Sequence, residues 1–316
     1  MIPIAGKLAV LDEKAAAAVD ALQGACDRRM ADDSAANQPK EPLFHYTNER
    51  ALFAILDSGL FWFTSIYHMD DPEELDFGFS MARGLFKKAA DGSKGLMRKF
   101  CRGLAEDGDR RRIRELMAFY SVSFGQRDDG KQWIDYADGG RGVALGLGAE
   151  FFGAAPVEDP DNPKPEDMIR CGKVAYGPKD GQARHRKVID AALTVMEQVQ
   201  RQKWLRSCEE AATFCRYLAA SMYTEILWNC VTSKDSKWSH QHELRLLVMN
   251  SLRRPRIPIV NADVRPRVEI IQLRLKQCIT EVMVGPKAEK DSLDGVRAGL
   301  AARGLVHVTV TQGKSN

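Results

Sequence analysis

The stretch FHYTNERALFAILDSGLFWFTSIYHMDDPEEL, Phe44–Leu75, decides the fold class. It opens on a short apolar run that ends in His45, Tyr46 and Thr47. Thr47 or Asn48 can cap the helix that follows, Glu49 suits its first turn, and Ala51, Leu52, Ile55 and Leu56 give it one apolar stripe. Gly59 then predicts a left-handed C-terminal cap. LFWFTS, aromatic and β-branched, predicts a buried strand that delivers Thr64 and Ser65 to its end, just before the acidic HMDDPEE loop. Two strand ends carrying polar groups and joined by one helix predict the edge of a cleft.

Outward from this core, residues 11–30 read as an alanine-rich amphipathic helix and ADDSAANQPKEP as a polar linker, so residues 1–40 form a leader helix and linker. Residues 41–316 read as a single domain. A strand at AFYSVSF, a short helix around KQWIDYADGG and a strand at RGVALGLG follow, with Gly139, Gly140 and Gly142 at the turn. The prolines and acids of residues 153–168 predict an exposed loop that tolerates cleavage. Two helices at about 182–204 and 209–230 form a helical insertion. Strands at HELRLLVM, QLRLKQ and ITEVMVG, a helix from Asp291 to Arg303 stopped by Gly304, and a strand at VHVTVT complete the pattern. The fold class is α+β, a split and mostly antiparallel sheet with helical insertions. GGRGVALGLG leads into a strand and not a helix, which excludes a Rossmann or P-loop reading.

At 316 residues and 44% hydrophobic the chain can bury a sizeable core. Its longest apolar runs fall far short of the roughly 20 residues a spanning helix needs, and its N-terminus lacks a signal-peptide pattern. Both features predict a cytoplasmic protein with no membrane association. Seven scattered cysteines without a CxxC pair suit reduced thiols. A net charge of +3 does not by itself argue for nucleic acid. The clusters at Arg110, Arg111, Arg112, Arg114 and at Arg253, Arg254, Arg256 read most simply as solvated charge.

A second segment, KDSKWSHQHELRLLVM (Lys234–Met249), carries the remaining chemistry. Strand alternation puts His240, His242, Leu244, Leu246 and Val248 on one face and Gln241, Glu243 and Arg245 on the other. His240 and His242 could be two metal ligands awaiting an acidic third, or packed histidines. Glu243 on a rigid strand could stabilise positive charge in a substrate, or pair weakly with Arg245 at a polar edge.

HYTN, FWFTS with DDPEE, YSVSF, QWxxYADGGRGVAL and KWSHQHELR together resemble a bacterial family of unknown function, domain-of-unknown-function family 2971, from about Leu43 to Val310. That family's Asn-Asp-Pro-Glu motif is altered here to Asp70, Asp71, Pro72 and Glu73 or Glu74. More distantly the order of motifs is similar to the ADP-ribosyltransferase fold, with His45 at the first strand, Ser65 or Thr64 after the second, and Gln241 with Glu243 at a later strand. The two spaced tyrosines of diphtheria-toxin-like members have no equivalent. Trp133, Tyr136 and Tyr67 are the candidate stacking groups; for Trp133 and Tyr136, three apart on one helical face, simple packing against the sheet is the alternative and the more ordinary reading.

The second resemblance implies an NAD-dependent ADP-ribosyltransferase or NAD-cleaving enzyme of a bacterial cell, acting in phage defence or as a toxin on a protein or nucleic-acid acceptor. Glu243 and His45 would be catalytic. Tyr46, Thr47, Thr64, Ser65, Trp133, Tyr136, Gln241 and Arg245 would hold NAD. His45 and Glu243 are then expected to face one cleft, and Glu243→Gln to abolish cleavage while sparing the fold. The rival readings are a metal-dependent hydrolase using His240 and His242, and a non-catalytic nucleotide or nucleic-acid-binding module with Arg110–Arg114 as its footprint.

Overall fold

A computed structural model describes residues 10–68, 74–106, 117–153, 164–252, 255–261, 263–272 and 275–314. Asp70, Asp71, Glu73, Arg110–Arg114, Arg253, Arg254 and most of the proline-rich loop lie outside these residues. The helices are α1 (Glu13–Ala36), α2 (Glu49–Ser58), α3 (Glu74–Asp91), α4 (Gly95–Ala105), α5 (Gly130–Tyr136), α6 (Pro178–Arg201), α7 (Cys208–Val231) and α8 (Ser292–Ala301). The strands are β1 (Leu43–Thr47), β2 (Leu60–Ser65), β3 (Met117–Phe124), β4 (Val143–Leu147), β5 (Arg170–Lys173) and β6 (Ala175–Tyr176). They continue with β7 (Ser233–Lys234), β8 (Leu244–Ser251), β9 (Ile259–Val260), β10 (Arg267–Ile271), β11 (Ile279–Val284) and β12 (Thr309–Gln312). None of the helices is long and apolar enough to cross a membrane, among the described residues.

The chain divides into two compact units. One, built from Met1–Asp32, Asp71–Leu116 and Ala175–Ser236, is mostly helical among its described residues, with the short parallel β6–β7 pair beside the helices. Within it α1 buries Ala15, Val19, Leu22 and Cys26, a stripe at helical spacing. Arg29 of α1 grips Glu225 of α7 through two nitrogens, at 2.9 and 2.6 Å. The helix continues through Ala36, so the first half of the expected linker is helical: alanine and aspartate there add turns, and Pro39 is the first residue that cannot.

The second unit holds Asp33–Asp70, Met117–Val174 and Lys237–Asn316 and contains two sheets. One runs β1-β4-β11-β12 and the other β5-β8-β3-β2-β10-β9. All pairs in them are antiparallel except β11–β12, and an isolated bridge between Phe44 and Gly125 links the two sheets. The expected α+β class with a divided, mostly antiparallel sheet is therefore observed.

Local chemistry explains the quoted stretch. Asn48 caps α2, its side chain accepting from the Ala51 N–H at 2.8 Å, and Gly59 closes the helix at φ 69° with its N–H on the Ile55 carbonyl. In β2, Phe61, Phe63 and Ser65 point inward while Trp62 is 56% exposed. Phe61 and Phe63 join Leu52, Leu56, Phe124, Leu145 and Val282 in the main core.

Two strands differ from expectation. The described part of QLRLKQ is not one: β10 ends at Ile271, the Gln272 N–H bonds the Gly59 carbonyl, and Leu275–Cys278 turn helically to bury Leu275 and Cys278 three residues apart. The last strand starts at Thr309, leaving Val306 80% exposed in a turn.

A polar cluster at the entry to β8

Ser236–Gln241 form a 3₁₀ helix and His242 has φ 42°, so β8 begins only at Leu244. A left-handed residue interrupts the pleat, and the alternation expected through His240 and His242 does not exist. Both histidines are exposed, with the Nδ1–H of His242 donating to the His240 carbonyl at 3.0 Å. Among the described residues there is no group of three histidine, cysteine or acidic side chains placed to hold a metal ion.

Glu243 is the hub of the cluster. Its side chain is 5% exposed, and Arg245, two residues on, is wholly buried. The Arg245 Nε lies 2.8 Å from Glu243 Oε1 and its second guanidinium nitrogen 3.2 Å from Oε2, a two-point pair. The Ser123 hydroxyl donates to the same Oε1. The register of β3 on β8 explains this contact, because Ser123 stands directly opposite Arg245. The Glu243 carbonyl accepts from the Val174 N–H at 3.1 Å, which fixes the backbone from the other side.

Helix α5 walls the cluster. Asp129 caps it by accepting from the N–H groups of Lys131 and Gln132. Buried Gln132 donates to the Gln241 carbonyl at 3.3 Å, and the Gln241 amide donates to the Tyr136 hydroxyl at 3.3 Å. Gly125 leaves room for this contact, since a Cβ there would press on the Gln132 side chain. Tyr136 is 44% exposed. Desolvation, reinforced by the nearby Glu243 charge and offset by Arg245, pushes its phenol up to about 12, so it stays a neutral donor and acceptor.

His45 does not join this cluster. Its ring packs against Phe61 and Phe124, with centroids 5.4 and 5.7 Å away, and its Nδ1–H donates to the Ser123 carbonyl at 3.1 Å. Successive side chains of a strand point to opposite faces, so Phe124 marks one face of β3 and Ser123, with Glu243, the other. The expected shared cleft is thus divided by the backbone of Ser123. The cause is the gap left where β2 stops pairing with β3 at Ser121: β1 closes on β3 there and turns His45 into the aromatic core. Burial holds the imidazole below its ordinary pKa, and it is neutral with Nε2 as acceptor.

The other expected residues separate in the same way. Tyr46, on the opposite face of β1 from His45, donates to the Gln126 carbonyl at 2.7 Å, accepts from the Asp129 N–H at 2.8 Å and meets the Trp133 ring edge-on. Trp133 is 1% exposed, its Nε1–H on Asp128, so it packs and presents no stacking face. Thr47 ends β1 half-buried opposite Val143. Thr64 and Ser65 pair with Ser121 and Tyr120, and the Ser65 hydroxyl accepts from the Tyr67 N–H. Gln241, Glu243, Arg245 and Tyr136 are the expected residues that meet. Ser123 and Gln132 were missed. The polar Ser121-x-Ser123 alternation in the otherwise apolar YSVSF was the available signal for the first.

Residues 132–246 match the family described as Protein of unknown function (DUF2971). The matched segment runs from Gln132 at the start of α5 to Leu246 within β8, and so takes in Tyr136, Gln241, Glu243 and Arg245. His45 and Ser123 fall outside it. No curated protein and no solved structure matches the chain.

Proposed function

We propose that the chain breaks the nicotinamide–ribose bond of NAD and passes ADP-ribose to an acceptor or to water, with Glu243 as the carboxylate that opposes the positive charge formed. Nicotinamide leaves with the electron pair of the C–N bond, and the ribosyl cation is captured by an acceptor nucleophile, which gives its proton to solvent. One observation carries this reading: a Gln-x-Glu pair just ahead of a strand is tied through Gln241 to an aromatic ring, Tyr136, that is partly open to solvent. Tyr136 offers a surface for nicotinamide, and Glu243 is fixed before substrate arrives, so no reorganisation is spent at the reacting centre. His45 holds β1 to β3 and has no contact role in this scheme. Action inside a bacterial cell, in phage defence or as a toxin, belongs to the same proposal.

The test is nicotinamide release from NAD, with and without added protein or nucleic acid, for the wild type and Tyr136→Ala. Release by the wild type and a loss of tenfold or more in the variant are expected. Wild type that binds NAD by calorimetry and releases nothing would favour a second reading, a nucleotide-binding module. A specific observation favours that module: Arg245 already neutralises Glu243.

A further inference from the structure

We propose that the α3–α4 hairpin of the helical unit is a docking surface for the phosphate backbone of duplex nucleic acid, independent of the Glu243 cluster. From Arg83 to Arg102 the sequence carries seven basic residues and a single acid, Asp91. Lys87, Lys88, Lys94, Lys99 and Arg102 are exposed, and among the described residues none of the five side chains pairs with a carboxylate. The hairpin is a fixed platform: Arg98 donates to the Ala90 and Ser93 carbonyls at 3.3 and 2.7 Å and clamps the turn. The first turn of α4 holds no acid to offset its dipole.

Two glycines point the same way. Gly84 and Gly103 lie inside α3 and α4 on exposed positions, and a Cβ at either would meet nothing within 4 Å. Packing does not require them, and each weakens its helix relative to alanine. Beside Lys87, Lys88, Lys99 and Arg102 they leave the surface low, so that a bulky polyanion can reach the cations.

The partner's class follows from what the face lacks. The aromatic side chains of both helices, Phe79, Phe86 and Phe100, are buried, and Leu85, Leu96, Met97 and Leu104 are partly covered, so the hairpin offers no fully exposed large apolar side chain to enter a lipid layer. No large apolar or aromatic side chain is exposed on the hairpin, which leaves nothing for unpaired bases to stack on. A duplex backbone, bound without sequence preference, fits charge alone.

The experiment titrates a fluorescein-labelled 20-base-pair DNA of random sequence with the full chain at several salt concentrations. Five contacts predict a log–log salt slope near about −4.5, which is a several-hundredfold weakening between 50 and 200 mM. Changing Lys87, Lys88 and Lys99 together to Gln should weaken binding at 50 mM by at least tenfold and flatten the slope by roughly 3, with the melting temperature unchanged. Changing exposed Lys276, Lys287 and Lys290 of the other unit to Gln is the charge-matched control. Absence of duplex binding by a folded wild type, equal losses in the triple variant and the control, or binding to phosphatidylserine vesicles in place of DNA would each overturn the proposal.

Discussion

Arg245 and Glu243 form a closed ion pair two residues apart, with the guanidinium Nε 2.8 Å from the carboxylate and neither side chain more than 5% exposed. Substitution of either alone leaves the other charged and dry. Glu243→Gln is therefore expected to lower stability by about 3–5 kcal/mol, contrary to the neutral effect the sequence suggested. Urea denaturation of the wild type, Glu243→Gln and the double variant Glu243→Gln/Arg245→Met measures it. The double variant should recover most of the loss, and a double variant as unstable as the single one would show that the pair's desolvation is not the cause.

His185 of α6 is wholly buried, and desolvation together with the Arg184 charge holds its imidazole down at about 4. The unfolded chain takes up a proton near pH 6.5 and the folded chain does not until about 4, so stability is level above pH 6.5 and falls as pH drops toward 4. The loss over that window is on the order of 3 kcal/mol. Stability curves between pH 4 and 8 for wild type and His185→Leu check this: the variant should have a shallower acid slope. An unchanged slope would move the effect to His45, whose pKa is shifted in the same direction.

Gly142 enters β4 where a Cβ would overlap the carbonyl oxygen of Thr47 and crowd that of Ala137. Backbone atoms on two sides cannot yield as a flexible side chain would. Gly142→Ala is expected to cost about 2 kcal/mol or more, read as a lowered denaturant midpoint, whereas Gly84→Ala, which meets open space, should raise stability by up to about 1 kcal/mol.

Asn48 caps α2 through the Ala51 N–H, and Asn48→Ala removes that acceptor. A loss of about 1 kcal/mol is expected. Asn48→Asp, which keeps the acceptor and adds favourable charge at the helix N-terminus, should be neutral or stabilising by chemical denaturation.

Elements whose signals are local were legible from sequence. Asn48 and Gly59 bracket α2, alternation in LFWFTS aims Phe61 and Phe63 inward, and the 3.6-residue period of α6 and α7 is plain. The Glu243 cluster was half legible, because Gln241, Glu243 and Arg245 are neighbours in sequence and Tyr136 sits on a readable helix. Ser123 entered through strand register, which sequence does not encode locally: only the pairing with Arg245 aims its hydroxyl at Glu243. His45 was misplaced because its polarity suggested a cleft, while the bridge from Phe44 to Gly125 commits it to the aromatic core. His240 and His242 failed on a single dihedral, the left-handed His242.

The interleaving of the two units bears on biogenesis. The helical unit needs a segment reaching Ser236, and the sheet unit pairs β1 with β4, about a hundred residues apart, and closes its smaller sheet with β12 at Thr309–Gln312. A ribosome-bound nascent chain can therefore form α1 and the β1–α2–β2 segment early, yet the strands meant to cover them emerge much later. During that interval Phe61, Phe63 and the unpaired rim of β2 remain without their partners, and pairing at such sequence separation is slow. Chaperone occupancy should peak on nascent chains arrested between β2 and β8, and fall once β12 has cleared the exit tunnel.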